Sequence, residues 1–175
     1  MIVTEQEKRL FFELYIPLLG YANKYDETTP LRKRDIFEVR DMLWNNPQIM
    51  RDYMFRNPNG LNNPRLEIIS NWQRFVRGDF VLIRSLKKYA VLLTVGKDVT
   101  TKAYGVLGLS DPIIEMADNG VGTIFRDLVL LPFNNRIIWD GLSVRQKLLL
   151  GKNIMSDLTD AYRKINKEGK IVESI

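Results

Sequence analysis

The sequence predicts an α+β protein: an N-terminal helical region of about four helices, packed on a small, mostly antiparallel β-barrel or curled sheet, with a C-terminal helix. Three observations predict it. Apolar residues recur every three or four positions up to about residue 76. After Gly78 they gather into short β-branched and aromatic runs between turn residues, and near Asn153 the helical period returns. The regions are 1–76 and 77–175. They are expected to fold as one unit, because the fourth helix leads directly through Arg77-Gly78 into the first strand.

The first helix starts at Thr4-x-x-Glu7, a capping-box spacing in which each side chain satisfies the other's backbone N–H. Leu10, Phe11, Leu14, Tyr15, Leu18 and Leu19 continue it as one apolar stripe, which Pro17 is expected to kink or break. A second helix is expected after Pro30, with Ile36, Phe37, Val39, Leu43 and Trp44 turned inward. A third follows Pro47 with Ile49, Met50, Tyr53 and Met54. The turn-rich stretch 56–64 is a loop, ending in Asn63 as N-cap and Pro64 at the first helical position. The fourth helix places Ile68, Ile69, Trp72, Phe75 and Val76 on one face.

Segments 79–86, 88–95, 101–109, 123–131 and 136–142 read as strands, and 144–150 as a further one. A short helix is expected at 112–118, between the third and fourth strands, where the OB-fold also has one. Pro132 is expected to end a strand, and Asn134-Asn135 suits a hairpin turn because Asn tolerates positive φ. The last helix carries Ile154, Leu158, Ala161, Tyr162 and Ile165 on one side.

Composition excludes several chemistries. The chain has no Cys and no His, which removes disulfides, thiol nucleophiles, His-based metal sites and imidazole as a general base. The net charge of +5 is spread thinly, as +1, +3 and +1 over residues 1–76, 77–150 and 151–175. A dedicated nucleic-acid-binding domain gathers such charge into a stripe. Glu5, Glu7, Lys8 and Arg9 stand where a signal peptide needs its apolar core, and no apolar run approaches the ~20 residues of a membrane span. A cytoplasmic location is expected.

Gly108-Leu109-Ser110 resembles the elbow of a hydrolase serine, but that chemistry needs a histidine, and Pro112 replaces the second motif glycine. Ser110 or Asp111 is read as a helix N-cap instead. Ser85-x-x-Lys88 has the spacing of a penicillin-binding serine and lysine, yet falls at a strand end without the companion motifs. The glycines Gly96, Gly105 and Gly108 match no phosphate loop and read as bulges or bends. The carboxylates Asp111, Glu115, Asp118, Asp127 and Asp140 are the candidates for a metal site. Arg77, Arg84, Lys87, Lys88 and Tyr89, with Phe80 beside them, are the candidates for nucleic-acid binding by charge and stacking; Asp79 sits among them.

Together, "WQRFVRGDFVLIRSLKKYAVLL", "KAYGVLGLSDPIIEM" and "RDLVLLPFNNRIIWDGL" resemble a family of uncharacterised bacterial proteins. In that family a helical part leads into a strand-rich part with the same YGVLGL, LLPF and DGL motifs. The resemblance covers roughly residues 66–162 and implies the same architecture, without an activity, cofactor or catalytic residue.

The leading reading is a non-catalytic binding or regulatory module with a protein partner and no cofactor. The alternative is a nucleic-acid-binding module using the basic hairpin, and the third reading is a carboxylate-based metal enzyme.

Overall fold

The structure, a computed structural model, describes residues 1–25, 34–96, 100–118, 120–146 and 150–175. It resolves into two compact units, Thr4–Gln73 and Met1–Val3 with Arg74–Ile175.

The first unit is helical: α1 (Glu5–Lys24), α2 (Ile36–Asn45), α3 (Pro47–Arg56) and α4 (Asn63–Asn71), followed by a 3₁₀ turn at Trp72–Arg74. The Thr4 capping box forms as expected, with Glu7 N–H donating to Thr4 Oγ1 and Thr4 N–H to Glu7 Oε2. Pro17 does not end α1. The helix runs through it, and Phe11, Leu14, Tyr15, Leu18 and Ala22 are buried on both sides of the proline, outweighing one missing backbone bond. An aromatic cluster fills this core, with the Phe11 ring 5.0 Å from Tyr15 and 5.5 Å from Trp72.

α2 differs from expectation. Pro30 lies outside the described residues, and the helix starts at Ile36 behind Asp35, whose side chain accepts from Glu38 N–H. Ile36 and Phe37 are exposed, while Val39, Arg40, Leu43 and Trp44 form the buried face. In α4 the cap is Asn62, one residue earlier than expected, and Pro64 is the second helical residue. The helical period also ends sooner, since Val76 already belongs to a strand.

The second unit is built on β1 (Val76–Ser85), β2 (Ala90–Val95), β3 (Ala103–Leu107), β4 (Ile124–Phe133) and β5 (Arg136–Trp139). These five strands form a ring, β1-β2-β3-β5-β4, which β4 closes by pairing back onto β1. Each pair is antiparallel except β3–β5. A short β6 (Val144–Gln146) adds to the start of β4, and residues 147–149 of the expected further strand lie outside the described residues. The helix α5 (Lys152–Lys167) follows and buries Tyr162. The segment between β3 and β4 differs from expectation. Where a helix was expected at 112–118 there is a run of i→i+3 turns, Glu115 to Pro112, Met116 to Ile113 and Ala117 to Ile114, that lowers Ile113 and Ala117 into the ring core.

Phe80, Leu82, Leu92, Tyr104, Val106, Phe125, Leu128, Leu130, Ile137 and Trp139 belong to that core. Phe125 and Leu128 both join it although three residues apart, because Arg126 and Asp127 together oppose Asp79 in a bulge. Val81, Val91, Leu93, Val129, Leu131 and Ile138 are also fully buried, so the strands read as unbroken apolar runs rather than alternating ones. Pro132 does not end β4, which continues to Phe133. Asn134 and Asn135, at φ 49° and 57°, make the tight hairpin to β5. In such a hairpin Phe133 and Arg136 exchange the closing bonds, so position 132 points its missing N–H away from β5, beyond the last β1 partner at Leu130.

Candidate functional site

The β1–β2 hairpin carries four of the five candidate basic-site residues. β1 ends at Ser85, Leu86 N–H donates to Tyr89 C=O at 2.9 Å, and β2 begins at Ala90, so Lys87 and Lys88 form the exposed tip. Arg84 is exposed just before it. Tyr89 is buried, its ring lying where a Cβ on Gly105 would come within 2.8 Å. That close approach explains the glycine in β3: an aromatic side chain from β2 covers it.

Lys88 and Tyr89 converge on one acceptor. Lys88 Nζ donates to Glu173 Oε1 at 2.7 Å and the Tyr89 hydroxyl donates to the same oxygen at 2.9 Å. The Lys88 ammonium also lies 4.7 Å from the Tyr89 ring centroid. The hydrogen bond to Lys88, then that to Tyr89, holds the Glu173 carboxyl below its ordinary value, and Glu173 in turn raises Lys88. Burial, then the bond to Glu173, pushes the Tyr89 hydroxyl up.

Arg77 is not part of this group. It lies near the start of β1, the hairpin at its end, and it closes on Asp127 of β4. The sequence groups Arg77 with the hairpin as one of several basic residues close along the chain, but the two lie at opposite ends of β1, and a strand rises about 3.3 Å per residue, which separates them.

The other candidates take structural places. Ser85 ends a strand, so the Ser-x-x-Lys pair does not share a helix. Asp140 is buried and its Oδ1 accepts from Leu142 N–H. Among the described residues, no three Asp or Glu side chains gather as metal ligands would. Gly108 is required by the turn that follows it, since a Cβ there would stand 2.0 Å from the Asp111 carbonyl oxygen.

A second site was not singled out from the sequence. In the helical unit, Tyr25, Glu38, Asp41, Met42, Asn45, Asn46 and Ile49 line a cleft of about 730 Å³. Glu38, Asp41, Met42 and Asn45 recur at helical spacing on α2, which is the only sequence signal for it. Beside it, Asp52 accepts from the Tyr25 hydroxyl at 2.6 Å and from Gln48 Nε2 at 2.6 Å. These bonds lower the Asp52 carboxyl, Tyr25 first, and the bond to Asp52 raises the Tyr25 hydroxyl.

The helical unit also presents large apolar side chains at its surface. Phe12 and Ile16 lie one turn apart on α1, Ile36 and Phe37 open α2, and Phe55 on α3 is 90 % exposed.

No match to a known family was found. No family model, curated protein or solved structure matches the chain. No helix among the described residues is long and apolar enough to cross a membrane.

Proposed function

We propose that the chain is a non-catalytic binding module whose helical unit docks a protein partner. The observation that supports this reading is the set of surface apolar side chains Phe12, Ile16, Ile36, Phe37 and Phe55. Scattered single apolar residues are ordinary on a protein surface, but adjacent pairs one turn or one residue apart, with a nearly bare phenylalanine, are what a partner covers. The cleft supplies a concave surface on the same unit, with Met42, Ile49 and Tyr25 as apolar lining and carboxylates and amides for orientation.

The test is a photo-crosslinking side chain placed at position 16 or 55 in the native cell. A crosslinked protein that then binds the purified chain should lose at least ten-fold in affinity on Phe55→Ala or Ile16→Asp. Unchanged affinity in both variants rejects the reading.

A second reading, nucleic acid at the hairpin, is supported by the exposed Arg84 and Lys87 in a connection that OB-folds use for oligonucleotides. Three of the five candidate residues are already engaged by carboxylates of the chain itself, which makes it the weaker reading.

A further inference from the structure

Segment 171–175 lies on the ring as a short added strand. Val172 N–H donates to Ala103 C=O at 2.9 Å and Gly105 N–H donates to Val172 C=O at 2.9 Å, a parallel bridge centred on Tyr104 of β3. Val172 and Ile175 are partly buried and pack against the ring core. Between them, Glu173 turns to the hairpin and meets Lys88 and Tyr89. Three different features of the strand unit thus read this short segment. The β3 backbone takes an extended chain, the core margin takes two apolar side chains, and the Lys88–Tyr89 pair takes a carboxylate.

The acceptor is built independently of the segment. Tyr89 is fixed by its seat on Gly105, so its hydroxyl is aimed before Glu173 arrives. Arg84 and Lys87 add positive charge on the same hairpin and favour an acidic ligand. The hold is light by comparison with the ring ladders. One isolated bridge carries the backbone, and the Lys88 and Glu173 side chains are 63 % and 50 % exposed. Segments with few buried contacts open locally, well below the cost of global unfolding.

We infer that the β3 edge and the Lys88–Tyr89 pair form a strand-acceptor site for a partner segment of the pattern apolar-acidic-x-apolar, filled here by residues 172–175 of the chain itself. The chemistry of the partner segment is that of the occupant: main-chain bonds supply affinity and the side-chain positions supply selectivity. This inference uses neither the cleft nor the exposed helical residues, so it stands or falls apart from the docking proposed for the helical unit.

The test uses the full chain. Glu173→Lys places a like charge against Lys88 and frees the site, and a fluorescent peptide carrying residues 169–175 then has no tethered competitor. The peptide should bind the Glu173→Lys chain at least ten-fold more tightly than the unchanged chain, and the same peptide with Gln in place of its Glu should bind at least ten-fold more weakly. Equal binding by the two chains, equal binding of the two peptides, or displacement of the peptide by an oligothymidine would overturn the inference. If the variant fails to fold, amide exchange in the unchanged chain decides. Gly105 N–H should exchange at least a hundred-fold faster than the amides of Leu92 and Leu130, and exchange as slow as theirs would mean that the segment never leaves.

Discussion

Arg77 of β1 closes on Asp127 of β4 through two parallel hydrogen bonds, Nε to Oδ1 at 2.5 Å and Nη2 to Oδ2 at 2.8 Å. Asp79 mirrors it: its Oδ1 accepts the Asp127 backbone N–H at 2.9 Å, while its Oδ2 accepts from the Arg126 guanidinium. The two pairs bracket the bulge at which β1 and β4 close the ring. The Arg77 guanidinium, a candidate for nucleic-acid contact in the alternative reading of the sequence, is a clamp on the strand pairing.

Asp127 itself adopts φ 54°, a conformation that Asn tolerates and a β-branched residue does not. Asp127→Asn should lose only the partly exposed ion pair, ~0.2–1 kcal/mol. Asp127→Val should cost a further ~1–2 kcal/mol of backbone strain. Urea unfolding of the two variants measures the difference, and equal midpoints would show that the bulge relaxes without strain.

The two glycines flanking the end of β3 should not be interchangeable with alanine. At Gly108 a methyl would meet the backbone oxygen of Asp111, which cannot move independently of its turn, and Gly108→Ala should destabilise by ~1–3 kcal/mol or more. At Gly105 the obstacle is the Tyr89 ring, so part of the cost of Gly105→Ala should vanish when Tyr89→Ala is also present. Strict additivity in that double-mutant cycle would mean the close approach of ring and glycine is not the cause.

The Lys88–Glu173 contact should have a defined pH window. Glu173 has a depressed carboxyl, so the stability it contributes is present above its ordinary value of 4.5 and is lost as pH falls through the lower folded value. Lys88 is raised, so its contribution is present below the ordinary 10.5 and is lost as pH rises through the higher folded value. The melting-temperature difference between the unchanged chain and Glu173→Gln should therefore be flat at neutral pH and shrink towards both extremes. A carboxyl NMR midpoint for Glu173 at or above 4.5 would contradict this.

The hairpin should bind nucleic acid poorly. With Lys88 held by Glu173 and Arg77 held by Asp127, no oligonucleotide is expected to bind tighter than ~10 μM at physiological salt, a value typical of non-specific association. Sub-micromolar binding that falls steeply with salt and disappears in Lys87→Glu/Lys88→Glu would favour the nucleic-acid reading over the docking one.

Local chemistry was legible from the residues alone. The Thr4–Glu7 box, the Phe11–Leu18 stripe of α1 and the Asn134-Asn135 hairpin all depend on neighbours within a few positions, and each stands where its spacing predicts; on α5 the expected face holds at Tyr162, while Ile154 is exposed. The α+β class and a curled sheet followed from the change of apolar period. Features that compare distant segments were not legible. Pro17 reads as a kink or break and Pro132 as a strand end because a missing N–H is a local loss, while the burial and the position beyond the last β1 partner that tolerate them are tertiary. Ile36 and Phe37 read as core because apolarity marks what can be buried, not what is. The parallel β3–β5 pair, the β4–β1 closure, the cleft beside Tyr25 and the choice of Asp127 and Glu173 as partners for Arg77 and Lys88 were settled only by the fold. A hydrogen bond or an ion pair carries no record in the sequence of which distant residue completes it. That partner is chosen by the register in which the strands close, where the summed burial of two apolar faces outweighs any single contact.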